Sequence, residues 1–188
     1  RQKNIWNWTL SIGSAMVPFF FGIMFVSLVQ GMPLDAKANM SAQFGDYFNL
    51  FSIVGGVAMV LLAYLHGLNY IALKTEGPVR SRANNYAQLL YWVLYLGLVA
   101  FAVLLFFKTD FFTHHALSTL VLLIVIVALT VFAHISVFKA AEMSAFLASG
   151  LSLVTVVVLL FQGLFPRVMI SSISSKYDLL IENASSST

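Results

Sequence analysis

Cysteine is absent from the 188 residues. That removes a disulfide framework, a thiolate zinc site and a cysteine nucleophile. Charge is almost as scarce: 9% of residues are Asp, Glu, Lys or Arg, against roughly 25% in soluble domains. A chain so short of charge cannot cover a water-facing surface. No run carries a Gly-rich phosphate loop or a serine elbow, and no span offers paired buried carboxylates for an acidic ion relay. The excess of three positive charges forms no basic stripe with interleaved aromatics, so a nucleic-acid partner is not indicated.

Hydrophobic residues make up 60% of the chain. Five stretches, 9–29, 50–73, 88–107, 116–138 and 144–165, contain no Lys, Arg, Asp or Glu. A hydrocarbon core about 30 Å thick needs roughly 20 apolar helical residues. Backbone groups in lipid must be satisfied internally, so continuous runs of this length predict helices. Strands of a membrane barrel would be about 10 residues long and alternate in polarity. The fold class expected is therefore all-α, a polytopic membrane protein with five transmembrane helices in one membrane domain. Residues 166–188 are expected to form an external tail.

The cations give a direction. Arg1, Lys3, Lys74, Arg80, Arg82 and Lys139 lie on one side, and Lys37, Lys108, Arg167 and Lys176 on the other. The positive-inside rule places the first group, with the 74–87 loop, in the cytoplasm. Pro33 and Pro166 stand just past spans one and five, where proline stops a helix, and Pro78 is expected to act likewise in the loop. Pro18 falls inside span one and predicts a kink. Trp6 and Trp8 fit the headgroup level. Gly55 and Gly56, with the series Ala141, Ala145, Ser149 and Ser144, Ala148, Ser152, allow close helix contact.

His66 and His134 lie within apolar runs, about two turns before Lys74 and one turn before Lys139. Polar groups at such depth face protein or a water path. A haem ligand, a proton relay and a hydrogen bond to a partner helix are the sharp readings. A neutral imidazole satisfied by a carbonyl is the plain one. His114 and His115 stand beside Asp110, but consecutive helical residues point about 100° apart, which favours a solvated loop over a metal site. "NWT", "NMS" and "NAS" fit the glycosylation pattern without further support. The residues alone leave three classes open: a subunit of an enzyme complex, a secondary transporter and a membrane scaffold.

Several ordered segments narrow the choice. They are "WNW" and "IGSAMVPFFFG" in span one, "LVQGMP" at its end, "HGLNYIALKTEG" with "RSRAN" after span two, and "FPRVMISS" after span five. The chain resembles subunit II of the cytochrome bd family of quinol oxidases over nearly its whole length. The most specific match is His66, Gly67, Asn69 and Tyr70, followed by Lys74, Thr75, Gly77, Arg82 and Ala83. The resemblance implies a subunit of about nine helices, two four-helix bundles and a peripheral helix. Span one would be its fourth helix and spans two to five its second bundle. The sequence, opening on Arg1 without methionine, then reads as a fragment lacking three earlier helices and the last.

The resemblance further implies a complex that oxidises quinol and reduces dioxygen to water in the bacterial inner membrane. The b-type haems and haem d belong to the partner, subunit I, and none is held by this chain alone. Subunit II is expected to be a structural and proton-path partner, with room for small accessory membrane subunits. The path's acids lie in the early helices. Some relatives carry Gln where His66 stands, which speaks against an indispensable haem-ligating role. His66 and Asn69 would be hydrogen-bonded within the second bundle. His134 is a further interface candidate. Lys74, Arg80 and Arg82 would fix the loop against lipid phosphates, and Thr75 and Gly77 would shape its turn.

Overall fold

The computed structural model describes residues 2–184. Arg1, the Ser185 that completes "NAS", and the closing "SSST" lie outside the described residues. Among the described residues, five helices are long and apolar enough to cross a membrane: α1 (Gln2–Gln30), α3 (Leu50–Lys74), α4 (Gly77–Lys108), α6 (Ala116–Phe138) and α7 (Glu142–Leu164). Short helices α2 (Phe44–Tyr47), α5 (Phe111–His114) and α8 (Ile181–Ala184), with the antiparallel strands β1 (Arg167–Met169) and β2 (Leu179–Leu180), complete the order. The chain is an all-α polytopic membrane protein with a small β-structured cap.

Helix ends follow local chemistry. Asn49 caps α3, its side chain accepting from the amides of Phe51 at 3.0 Å and Ser52 at 3.1 Å. That satisfies two of the donors a helix start leaves open. Helix α4 begins eleven residues before the apolar run that announces it. Only Thr75 and Glu76 separate it from α3, so the 74–87 joint is a two-residue turn and not a long loop. Pro78 starts α4 rather than stopping a helix: it sits in the first turn, where a missing N–H leaves nothing unpaired. The polar residues beyond it are good enough helix formers to carry the helix out of the lipid zone. Gly77 has φ +63°, the left-handed conformation that only glycine adopts freely.

Helices α3, α4, α6 and α7 form a four-helix bundle in which each packs on two neighbours, and α1 lies against α3. The α3–α4 and α6–α7 turns share one end of the bundle, called here the turn end. The 31–49 and 109–115 joints and the tail share the other, the cap end. α1 and α3 cross at glycine: a Cβ on Gly22 would sit 2.7 Å from the Gly55 carbonyl oxygen and the Gly56 Cα. N-terminal to Pro18, residues 3–17 of α1 are exposed throughout, and burial begins at Pro18 and Phe19. Ala145, Ala148, Ser149 and Ser152 of the small-residue series are buried on α7, while Ser144 and Ala141 are not fully so.

The cap is tied down by polar bonds that apolar counting does not reveal. Arg167 donates to both carboxylate oxygens of Asp110, at 2.6 and 2.9 Å, and lies 3.6 Å from Asp178. Burial pushes the Asp110 carboxyl up, but the hydrogen bonds and charge of Arg167, with a smaller contribution from His114, outweigh it and hold the pKa below its ordinary value. His115 Nε2 bonds the Phe165 carbonyl at 3.0 Å. Ser171 donates to the Leu34 carbonyl at 2.9 Å, joining the tail to the first joint.

Candidate functional site

The polar residues inside the bundle meet in pairs. His66 on α3 bonds Ser149 on α7, Nδ1 to Oγ, at 3.0 Å. Asn69 on α3 donates from Nδ2 to the Tyr91 hydroxyl on α4 at 3.0 Å and to the Ala145 carbonyl on α7 at 3.3 Å. Tyr95 on α4 bonds His134 Nδ1 on α6 at 2.9 Å. Thr130 on α6 and Ser152 on α7 are 3.3 Å apart, Oγ1 to Oγ. Read in order, these bonds join α3 to α4, α4 to α6, α6 to α7 and α7 back to α3. They form a closed ring of side-chain bonds linking all four helices.

The ring works because side chains four apart share a helix face. Tyr91 and Tyr95 occupy such positions on α4, as do Thr130 and His134 on α6. His66 and Asn69, three apart, do the same on α3. Between helices in lipid such bonds contribute about 0.6 kcal/mol each on average and up to about 1.7. Four of them also fix register, because a helix that slides breaks two at once.

Aromatic rings surround His134, and one lies against His66. His66 stacks on Phe146 with centroids 4.6 Å apart. His134 stacks on Tyr91 at 4.8 Å, with Trp92 at 5.5 Å, Tyr95 at 5.6 Å and Phe138 at 4.7 Å around it. Asn69 and His134 are buried at 1% and 5% exposure. Each has one polar atom, Asn69 Oδ1 and His134 Nε2, without a hydrogen-bond partner in the structure. Tyr95 also lines an apolar cavity of about 320 Å³ reaching toward α1.

His66, Asn69 and His134 thus share one ring. The other residues singled out in the sequence lie elsewhere. Thr75 ends α3 and donates to the Ile71 carbonyl at 2.7 Å. Arg80 donates from Nε to the carbonyls of Ala72 at 3.1 Å and Thr75 at 2.8 Å, and stands 3.8 Å from Glu142 at the start of α7. Arg80 thus bonds the turn directly through its guanidinium. Lys74 and Arg82 are exposed. Gly67 faces the gap between α3 and the first half of α1, where a Cβ would meet nothing within 4 Å.

Tyr91 and Tyr95 were not singled out in the sequence, since tyrosine in an apolar run reads as an aromatic filler. The available signal was their spacing: two hydroxyls one turn apart in a span that offers few other polar side chains.

The ring can hold helices in register and can donate or accept protons at tyrosine and imidazole. His134 is held through Nδ1 by Tyr95 and packs against Tyr91 and Phe138, and His66 is held through Nδ1 by Ser149 and lies on Phe146, so both imidazoles are engaged in bonds between helices.

Comparison with known proteins agrees with the resemblance read from the motifs. Residues 1–188 match the family described as cytochrome bd terminal oxidase subunit II. The chain is 40% identical over 186 residues to cytochrome bd ubiquinol oxidase subunit 2 of Bacillus subtilis, covering 99% of this chain and 55% of that protein. It is 30% identical over 92 residues to cytochrome bd-I ubiquinol oxidase subunit 2 of Escherichia coli K12, covering 47% of this chain and 24% of that protein. A probable cytochrome oxidase subunit 2 of Haemophilus influenzae is 26% identical over 113 residues, 58% of this chain and 30% of that one. The chain spans between about a quarter and just over half of the length of these relatives. With a family match that runs from the first residue to the last, the chain belongs to the cytochrome bd terminal oxidase subunit II family.

Proposed function

We propose that this chain serves as part of subunit II of a quinol oxidase complex in the bacterial inner membrane. In that role it is the structural and proton-path partner of a haem-bearing subunit I. The complex oxidises quinol and reduces dioxygen to water; b-type haems and haem d supply the electron transfer and oxygen chemistry when bound in the partner. The observation that carries this reading is the family match over the whole chain, together with the 40% identity to the Bacillus ubiquinol oxidase subunit.

The chain's own residues support a structural share of that work. The ring clamps four helices, Arg80 and Glu142 lock the turn end, and Arg167 with Asp110 locks the cap. A rigid bundle keeps a fixed apolar face toward a partner in lipid, where packing and not a hydrophobic driving force decides association. Both histidines are engaged through Nδ1 in bonds between helices, which supports a packing role for them. The excess of cations at the turn end supports placing that end in the cytoplasm and the tail outside.

Affinity purification of the full-length subunit from its membranes tests the reading. The expected result is recovery of a larger haem-bearing partner, an absorption band in the red region and quinol-dependent oxygen uptake. A colourless preparation that moves a solute on its own would overturn it in favour of a transporter.

A further inference from the structure

At the cap end, apart from the ring, one cavity is lined in an unusual way. It has a volume of about 290 Å³ and lies between the last turns of α1, the 31–49 joint and β1. Four of its ten lining residues are methionines: Met24, Met32, Met40 and Met169. Seven methionines in 188 residues would place fewer than one among ten positions. The four come from separate segments, so the fold and not a local run brings them together. Methionine is a common filler of irregular gaps, yet neither buried core cluster of this chain contains one. Met32 is buried at 2% exposure, while Met24 and Met40 are 44% and 49% exposed on the side of the cavity that opens outward.

The backbone behind three of these sulfurs is pinned. Met32 donates its amide to the Ile170 carbonyl at 2.9 Å and accepts from the Ser172 amide at 2.9 Å, which fixes it beside the strand carrying Met169. Leu34 and Met40 form an antiparallel bridge across a tight loop, and Asp35 accepts from the amides of Lys37 at 2.8 Å and Asn39 at 2.9 Å inside that loop. Met40 is thereby held close to Met32. The Tyr47 hydroxyl donates to Met40 Sδ at 3.9 Å and orients it. One turn from Met24, the Ser27 hydroxyl is 3% exposed, lines the same cavity and has no hydrogen-bond partner in the structure.

Thioethers are soft, neutral donors that select Cu(I) among biological metals, whereas hard cations require oxygen ligands. No Asp, Glu or Lys lines the cavity, so a divalent cation would find no compensating charge there. A monovalent soft ion would have the smaller charge to desolvate and the matching donors. We propose that Met24, Met32, Met40 and Met169 form a binding site for a soft monovalent cation, Cu(I) or its surrogate Ag(I), with the Ser27 hydroxyl as an oxygen donor beside it. The proposal does not depend on the respiratory reading, because it rests on the sulfur set alone.

The test is an anaerobic Cu(I) titration of the full-length subunit in its purified complex against a colorimetric Cu(I) chelator, with X-ray absorption at the copper edge. The expected result is one tightly held equivalent with a sulfur-dominated shell. The combined variant Met24→Leu, Met40→Leu and Met169→Leu keeps the apolar volume and should weaken retention by at least about tenfold, a loss typical of even outer-shell partners. Equal retention by that variant, no copper held against the chelator, or a shell of nitrogen and oxygen alone would each overturn the proposal. If the variant does not assemble, the ligand shell of the unaltered protein decides the matter by itself.

Discussion

The Tyr95–His134 bond is the point at which the ring can be weighed. It is the one hydrogen bond made by either nitrogen of His134 in the structure, since Nε2 is buried without a partner. Tyr95→Phe keeps the ring shape and removes only the hydroxyl. A buried ring nitrogen then loses its partner, which costs about 1–3 kcal/mol in protein interiors. Interhelical bonds in lipid fall lower, near 0.6 kcal/mol on average and about 1.7 at most. His134 is 5% exposed and has no second bond to compensate. The coupling is therefore expected near the upper membrane value, about 1–1.5 kcal/mol. A double-mutant cycle isolates it: Tyr95→Phe, His134→Phe and both together, read by equilibrium unfolding of the complex in bicelles. The larger ring of His134→Phe strains the aromatic box in both backgrounds and cancels. The double variant should be more stable than the sum of the single losses predicts. A coupling below about 0.3 kcal/mol, within the usual error of additivity, would refute the ring as a stabilising device.

Three further outcomes follow from other parts of the molecule. Gly22→Ala puts a methyl 2.7 Å from the Gly55 carbonyl oxygen and should lower stability by about 1–3 kcal/mol, whereas Gly67→Ala, with open space around its Cβ, should change it by less than about 0.5 kcal/mol; thermal melting of the two side by side distinguishes them. Asp110→Asn should loosen the cap, seen as faster proteolysis in 166–180, with a stability loss held to about 1–2 kcal/mol because the carboxylate is 32% exposed and partly screened. The same pair sets a pH dependence: the Asp110 pKa is depressed on folding, so its contribution is present above the ordinary carboxylate value near 3.9 and lost as pH falls through the lower folded value. Protease resistance of the cap should be flat from about pH 5 upward and fall only below about pH 4, and the Asp110→Asn protein should lack that acid limb.

Much of the membrane architecture was legible because lipid imposes a simple rule. Runs of 20 or more uncharged residues had to be helices, and Gly55 and Gly56 marked a close approach without any knowledge of the partner. Helix ends in water obey no such rule. The segment 77–87 contains Arg80, Arg82, Asn84 and Asn85 and reads as a loop, although Gly77 and Pro78 start a helix there. The cap was illegible for a related reason: its bonds join Asp110 to Arg167 and Leu34 to Ser171, positions far apart in sequence and ordinary in composition. In the ring, His66 and His134 stood out because imidazole is rare in apolar runs. Their partners did not, since Ser149 looked like a packing residue and Tyr95 like an aromatic one. Arg80 was grouped with Lys74 and Arg82 as loop charge, and only the fold distinguishes it by turning its guanidinium onto the end of α3.

The central proposal is that the intramembrane histidines hold the bundle together and that the redox centres belong to a companion subunit. Measuring haem per complex and the red-region absorption of an assembly carrying His66→Gln and His134→Gln tests it most directly. Full haem content with an unshifted band is the predicted result. Loss of the haem d band from a complex that still contains both subunits would contradict it.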